Sequence, residues 1–302
     1  MKPLLVLGSS NIDHIAQMAA FPQAGETLHG ERYYGGKGAN QAVAAAKSGA
    51  PIHFISAFGD DSAGGELRAH LESLHIDCGG SKTVADSTGM AMIWLNRAGE
   101  NSIVVIAGAN AALDAAHVEA EQARIAAAGL LLLQLETPLE GVIRAAAIAR
   151  AHGVRTILNP APAAALPPEL LANLDLITPN ETEAERLTGI AVQDENSAAR
   201  AAANLHAQGV PTVLITLGSR GVYASADGHG TLYPAYRVQP VDTTAAGDTF
   251  NGALAAALLR GEPLARAIAW GQAAAALSVQ TLGAQPSIPD AAATTAFLQA
   301  HS

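Results

Sequence analysis

The chain has 302 residues, of which 49% are hydrophobic and 15% charged, with a formal net charge of −10 at pH 7. That composition supports a sizeable buried core and excludes a disordered chain. The acidic balance excludes a nucleic-acid binder, which needs a basic face. A phosphate-bearing ligand is still compatible, provided that a lysine, a metal or helix N-termini supply local positive potential. Cys78 is the only cysteine, so no internal disulfide forms, in keeping with a reducing compartment. Met1 to Leu7 is too short an apolar run for a signal peptide. No stretch approaches the roughly 20 apolar residues of a membrane helix; even "GLLLLQLE" (129–136) ends in Glu136. The expectation is a soluble, cytoplasmic protein.

In chain order, "LLVLG" (4–8) reads as a first strand. Residues 14–35, with Pro22, Gly25, Gly30 and two tyrosines, show no helical period. A helix near 38–48, a strand "IHFISAFG" (52–59) and a helix near 64–74 follow. "TGMAMIWLNRAGENSIVVIAGAN" (88–110) alternates on both sides of "NRAGEN", which predicts a hairpin. Then come a helix near 115–128, a strand "LLLLQLE" (130–136), a helix near 140–152 and strands "TILNPAP" (156–162) and "LITPN" (176–180). A helix near 197–208, a strand "TVLITLG" (212–218), a hairpin from Val222 to Val238 and helices near 247–260 and 264–277 complete the chain. This βαβα rhythm predicts one α/β domain, 1–302, with a mainly parallel sheet covered by helices on both faces. The segments 14–35 and 88–107 are predicted to form a small β layer beside it.

Polar groups follow the strands. "GSSNID", Glu136, "NPAP", "TPNETE" and "TLGSRG" all stand at strand ends, where open parallel sheets bind ligands. Each loop alone is equally a polar strand-to-helix connection. "GGKGAN" (35–40) sets glycines around Lys37 before a helix, which suits a ligand loop or a glycine-rich turn. It matches neither the Walker nor the dinucleotide fingerprint. "TLGSRG" (216–221) reads as a nucleotide-cradling loop or a plain turn. "NETE" (180–183) places Asn180 and Glu183 on one helical face, suited to a hydrated Mg²⁺ or to an acidic helix start.

"VDTTAAGDTFNGALAAALL" (241–259) carries the sharpest signal. If a helix begins near Ala245, the amides of residues 245–248 lack intrahelical partners, and small side chains leave them bare. They form a cavity for the oxygens of a transferring phosphoryl group. Asp248 beside it is placed to take a proton from an attacking hydroxyl. The helix dipole predicts an ionised Asp248 of low pKa. The alternative is a first-turn aspartate worth about 0.3–1 kcal/mol. That alternative leaves Gly247 without a reason.

These stretches together resemble the ribokinase-like carbohydrate kinase family. "GGKGANQAVAAAKSGA" is similar to its first signature and "DTTAAGDTFNGAL" to its second, and the likeness runs from about residue 4 to 290. "GSSNIDHI", "FPQAGET", "GANAAL", "NPAPA", "ITPNETEAE", "VLITLGSRGV" and "GAQPSIP" point to its ribose-phosphorylating members. The resemblance implies that fold with a β lid, and ATP-dependent phosphorylation of a sugar hydroxyl, the 5-hydroxyl of D-ribose. It implies Asp248 as general base and an anion hole at Ala245, Ala246 and Gly247. Asn11, Asp13, Gly36, Lys37, Gly38, Asn40 and Glu136, with Asp248, would contact the sugar. Asn180, Thr216, Leu217, Gly218, Ser219, Arg220, Gly221, Gly247 and Gln272 would contact ATP. Glu183 would order Mg²⁺ through water, and Asp242, Thr244, Ser278, Thr281, Gly283 and Ser287 would hold an activating K⁺. The lid would also form a homodimer interface. Gln272 stands where the family pattern has a histidine, and "HGERYY" is about three residues short. The alternatives are a kinase for deoxyribose or fructose, and a non-catalytic sugar or nucleotide sensor on the same fold.

Overall fold

Leu4–Leu7 contains no polar residue, and each of its side chains is fully buried. A strand that is apolar on both faces has to be covered on both. Leu4 and Val6 enter one core and Leu5 and Leu7 another, on opposite sides of the sheet. The computed structural model describes residues 1–96 and 101–301. Among them the main sheet has nine strands, in the order His229–Tyr233, Val222–Ala226, Thr212–Thr216, Leu176–Ile177, Arg155–Leu158, Leu130–Leu133, Leu4–Leu7, Ile52–Ile55, Ile76–Asp77. From Ile76–Asp77 across to Thr212–Thr216 every pairing is parallel; the Val222–Tyr233 hairpin adds the antiparallel edge. The parallel strands bring their carboxyl ends to one edge, as the polar loops predict.

The second β layer is a separate four-stranded sheet ordered Glu31–Gly35, Asn11–Met18, Gly89–Asn96, Asn101–Ile106. The last two strands pair antiparallel, as the alternation predicts. Residues 97–100 of the predicted turn "NRAGEN" lie outside the described residues. The outermost strand leaves Ile103, Val104, Val105 and Ile106 exposed. None of the helices among the described residues is long and apolar enough to cross a membrane.

Two elements differ from expectation. The strand predicted over 52–59 breaks at Ser56, whose amide bonds Ser81 Oγ at 2.9 Å and whose carbonyl accepts from Lys82 at 3.1 Å. The chain is thereby drawn off the main sheet, and Ala57–Gly59 pairs with Lys82–Val84 instead. The helix predicted over 115–128 divides into Ala115–Ala120 and Gln122–Ala127 around Glu121, which sits at φ −96° and ψ 12°. Helix Glu181–Thr188 begins where "NETE" places a helix start, and helix Ala291–Ala300 adds to the predicted set.

The alanine bias has a structural use. Helix Lys37–Lys47 and helix Ala246–Leu259 pack against each other on one face of the sheet through Ala39, Ala42, Ala44, Ala255 and Ala256. Their closest approach is at Gly252, where a Cβ would lie 2.3 Å from the Gln41 carbonyl oxygen and 2.6 Å from Ala44 Cβ. Small residues bring the backbones together, and this sets the register between the residues after Lys37 and those around Asp248. Gly252→Ala should therefore destabilise the fold despite alanine's better helix propensity, by about 1–3 kcal/mol through overpacking. Urea unfolding at neutral pH checks this; an unchanged midpoint would mean that the helices separate freely.

Candidate active site

The first strand ends in Ser9 and Ser10, and the strand Leu130–Leu133 runs on to Glu136. Glu136 Oε2 accepts from Ser9 Oγ at 2.6 Å and from the Lys37 amide at 3.0 Å. The carboxylate thus sits on the N-terminus of the Lys37 helix, where the helix dipole favours negative charge. Gly36 is the N-cap of that helix at φ 87°, and a Cβ there would lie 2.8 Å from the Asn11 amide. The glycines of "GGKGAN" are thus required by a left-handed turn and a close backbone approach. On the same edge, Asn110 Nδ2 donates to Asn11 Oδ1 at 2.7 Å and Asn110 Oδ1 accepts from the Ser10 amide at 2.9 Å.

Asp248 lies in the first turn of helix Ala246–Leu259 and is buried. Its two oxygens are held separately: Oδ1 accepts from Gln41 Nε2 at 2.9 Å and Oδ2 from Asn40 Nδ2 at 3.1 Å. Both donors come from the Lys37 helix, in the register set at Gly252. The helix begins one residue later than expected. Ala245 is its cap, in the left-handed region at φ 59°, and the Ala246 amide already donates to Thr243 O at 3.2 Å. The expectation that this amide is bare is therefore corrected, because the left-handed cap folds the Thr243 carbonyl back over it. The amides of Ala245, Gly247 and Asp248 have no partner among the described residues. Gly247 is exposed and a Cβ there would meet nothing within 4 Å, so no packing requires this glycine.

The expected low pKa of Asp248 is also corrected. Burial pushes its carboxyl above the usual range, and Glu136 adds to this. Lys37 and the amides of Gln41 and Asn40 offset it only in part. Removal from water outweighs the half-charge of a helix terminus. The same cluster raises Asp13 to about 7, through burial and then the charges of Glu136 and Asp248, against the pull of Lys37. Lys37 is pulled down by burial, but Asp248, Glu136, Glu183 and Asp13 together carry it above its ordinary value. One ammonium thus stands among four carboxylates. Asp13 Oδ1 and Asn40 Oδ1 are buried acceptors with no donor among the described residues. Buried acceptors call for donors, and the hydroxyls of a polyol are donors of the right kind.

At the next strand ends, Asn180 and Thr216 form an isolated parallel bridge, and the Thr216 amide donates to Pro179 O at 2.9 Å. Asn180 and Glu183 form a reciprocal capping box, Asn180 Oδ1 from the Glu183 amide at 2.8 Å and Glu183 Oε2 from the Asn180 amide at 2.9 Å. Burial raises the Glu183 carboxyl, and Asp248 adds to it. The loop Thr216 to Gly221 closes on itself as a 3₁₀ turn over Gly218–Arg220, with Ser219 at its tip. Two of its side chains face elsewhere than expected. Leu217 is buried in the core because it continues the apolar strand, and Arg220 pairs with Glu181 at 3.1 Å. Gln272 Nε2 donates to Tyr233 O at 3.0 Å and Pro234 O at 3.3 Å, joining its helix to the chain just past the edge strand.

The loops predicted to hold a monovalent cation meet through Asp242. Its Oδ1 accepts from the Thr244 amide at 2.9 Å and Thr244 Oγ1 at 2.6 Å, and its Oδ2 accepts from the Gly283 amide at 2.9 Å. Ser278 and Ser287 turn their hydroxyls to Ala275 O and Ala284 O. The Thr281 amide donates to Ser278 O. With these side chains committed, the oxygens left to a cation are mainly backbone carbonyls, a hard donor set that fits K⁺. A single buried carboxylate, Glu183, in a cluster that also holds Asp248 fits Mg²⁺ bound through few protein ligands, waters and nucleotide phosphates.

Sequence reading missed the buried amides behind the site. Gln41, Asn159 and Gln134 join to one another and to Asp248, and Asn251 holds the Gly247 carbonyl at 2.8 Å. The available signal was polar side chains inside otherwise apolar stretches, Gln41 in "NQAVAAA" and Gln134 in "LLLLQLE".

Residues 1–291 match the pfkB family carbohydrate kinase pattern. The chain is 51% identical to the ribokinase of Haemophilus influenzae over 302 residues, covering 99% of each. It is 44% identical to the ribokinase of Staphylococcus aureus, covering 95% of this chain and 96% of that one. The structure of Arabidopsis thaliana ribokinase complexed with ribose and ATP superposes with a TM-score of 0.92 at 35% identity, covering 99% of both chains. The protein belongs to the pfkB family of carbohydrate kinases, and its fold is the α/β fold of the ribokinases with a separate small sheet.

Burying Asp13 costs stability. Its pKa of about 7 lies above the unfolded value of 3.8. The penalty is absent below pH 4, grows as pH rises to 7, and is complete above it. Asp13→Asn should therefore be more stable than wild type at pH 8, by about 2–4 kcal/mol, with the difference vanishing near pH 4. Urea unfolding of the ligand-free protein at the two pH values checks the sign.

Proposed function

We propose that the protein transfers the γ-phosphoryl group of ATP to the 5-hydroxyl of D-ribose. The observation that carries this is the grouping of a buried Asp248, free amides at Gly247 and Asp248, and unpartnered acceptors at Asp13 and Asn40 on one sheet edge. The full-length identity to ribokinases supports ribose as the acceptor. Asp13 and Asn40 accept sugar hydroxyls, with Asn11, Lys37, Glu136 and the backbone of Gly36 and Gly38 completing the pocket. Asp248 takes the proton of the attacking hydroxyl. Its raised pKa makes it a stronger base than an ordinary carboxylate, which suits its task near neutral pH. The amides of Gly247 and Asp248, with Ala245 beside them, receive the charge that builds on the transferring phosphoryl oxygens. Lys37 offsets negative charge in a protein that is itself acidic.

On the nucleotide side, Asn180 and the backbone of Thr216, Gly218, Ser219 and Gly221 at the strand ends, with Gln272 on helix Leu264–Ser278, would receive ATP. Glu183 would orient a hydrated Mg²⁺, which when bound neutralises phosphate charge. The oxygens around Asp242, Thr244, Ser278, Thr281, Gly283 and Ser287 would hold K⁺ and so order the turn into Ala245. The small sheet acts as the lid that excludes water from the transfer, and the reaction draws on cytoplasmic ATP.

The reading is checked by ADP formation across a panel of sugars, with and without K⁺. Ribose should stimulate it most, and Asp248→Asn should lower kcat by about a thousandfold while ribose still binds by calorimetry. Wild-type turnover in that variant, or no response to any sugar, would sink the reading. The exposed run Ile103 to Ile106 supports a homodimer through the lid. Val105→Glu should yield a monomer in sedimentation, and an unchanged sedimentation coefficient would refute this interface.

A further inference from the structure

Gln41 has no free polar group. Nε2 donates to Asp248 Oδ1 at 2.9 Å and to Asn159 Oδ1 at 3.0 Å, and Oε1 accepts from Gln134 Nε2 at 2.7 Å. The side chain is fully buried, so it contacts no substrate. Its orientation is set by the Asp248 carboxylate, which accepts from Nε2 and so turns Oε1 toward the Gln134 donor. The chain continues beyond Asn159. Asn159 Nδ2 donates to Thr178 O at 3.3 Å, Thr178 Oγ1 donates to Asn251 Oδ1 at 2.6 Å, and Asn251 Nδ2 donates to Gly247 O at 2.8 Å. Gln41, Thr178 and Asn251 are each at most 1% exposed. The path starts at the base and ends on the peptide that carries the free Asp248 amide. It passes through two strand ends, Asn159 and Thr178, and two helices on the way, so it links elements that local structure leaves independent.

We propose that Gln41 is a positioning residue. With Asn159, Thr178 and Asn251 it locks the Asp248 carboxylate and the Gly247 peptide in one register, leaving Asp248 Oδ2, beside the unpartnered Asn40 carbonyl, for the acceptor hydroxyl. This rests on the phosphoryl-transfer reading above. A glutamate at 41 would set a like charge against Asp248. An apolar residue would strand the Asn159 oxygen and the Gln134 amide together with Asp248 Oδ1, and buried amide networks act as a unit.

The charged groups facing Asp248 are Lys37 on its own neighbouring helix, Glu136 at a strand end, Asp13 on the lid sheet and Glu183 at the next helix start. Gln41→Met leaves all of them in place. The lost N–H stabilised the ionised carboxylate, so the acid limb of kcat should move up by about one pH unit. At its optimum kcat should fall about tenfold, with KM for sugar and ATP nearly unchanged. Asn251→Leu should lower kcat similarly and leave the acid limb in place, because it frees the Gly247 peptide and not the base. The carboxyl titration of Asp248 followed by ¹³C NMR should show the same upward shift in Gln41→Met without turnover. Absence of ribose-stimulated ADP formation in wild type would refute the reaction, while the NMR titration would still decide the role of Gln41. An unmoved acid limb and titration in Gln41→Met, or a loss confined to KM or thermal stability, would overturn the proposal. If Gln41→Met does not fold, wild-type kcat in Asn251→Leu overturns it equally.

Discussion

The site depends on a close crossing of two helices. Gly252 lets the backbone of the Asp248 helix approach the Gln41 carbonyl, and only then do the consecutive amides of Asn40 and Gln41 reach the two oxygens of Asp248. A buried carboxylate without such partners would protonate or swing to water. The alanine-rich packing between these helices is thus a requirement of the site as well as of the core.

The second constraint is electrostatic. Asp13, Glu136, Glu183 and Asp248 crowd one half-buried lysine. Burial and mutual repulsion push Asp13, Glu183 and Asp248 above the ordinary carboxylate range, Asp13 to about 7. Such crowding is a cost that a folded protein carries where function requires it. Here it gathers unpartnered polar acceptors, four carboxylates and a single positive charge at one place beside the strand ends. Lys37 holds its proton because four acids surround it, and Glu136, Glu183 and Asp248 hold their place because backbone or side-chain amides fix them.

The polar loops at the strand ends differ in how far they are free to act. Glu136 is committed to the Lys37 helix N-terminus and Asn180 to the Glu181–Thr188 helix start, so both brace the strand ends. Asp242 is likewise a clasp between two loops. A helix-start aspartate and a catalytic base, or a capping glutamate and a metal ligand, are therefore compatible roles. The opposition between them in the sequence was partly a false one.

What the sequence determined by itself was local or periodic. The apolar runs gave the parallel sheet because a strand buried on both faces must be apolar throughout, and "GGKGAN" and "AAGD" declared two helix starts. The break at Ser56, the burial of Leu217, the outward turn of Arg220 and the capture of the Ala246 amide were decided by tertiary structure, since each depends on a partner far off in the chain or on a backbone angle that no pattern encodes. The same holds for the charge state of the site. A helix dipole is visible in sequence, but burial of Asp248 and its bond to Gln41 arise only when residues about two hundred positions apart meet, and that meeting reverses the sign of the expected pKa shift.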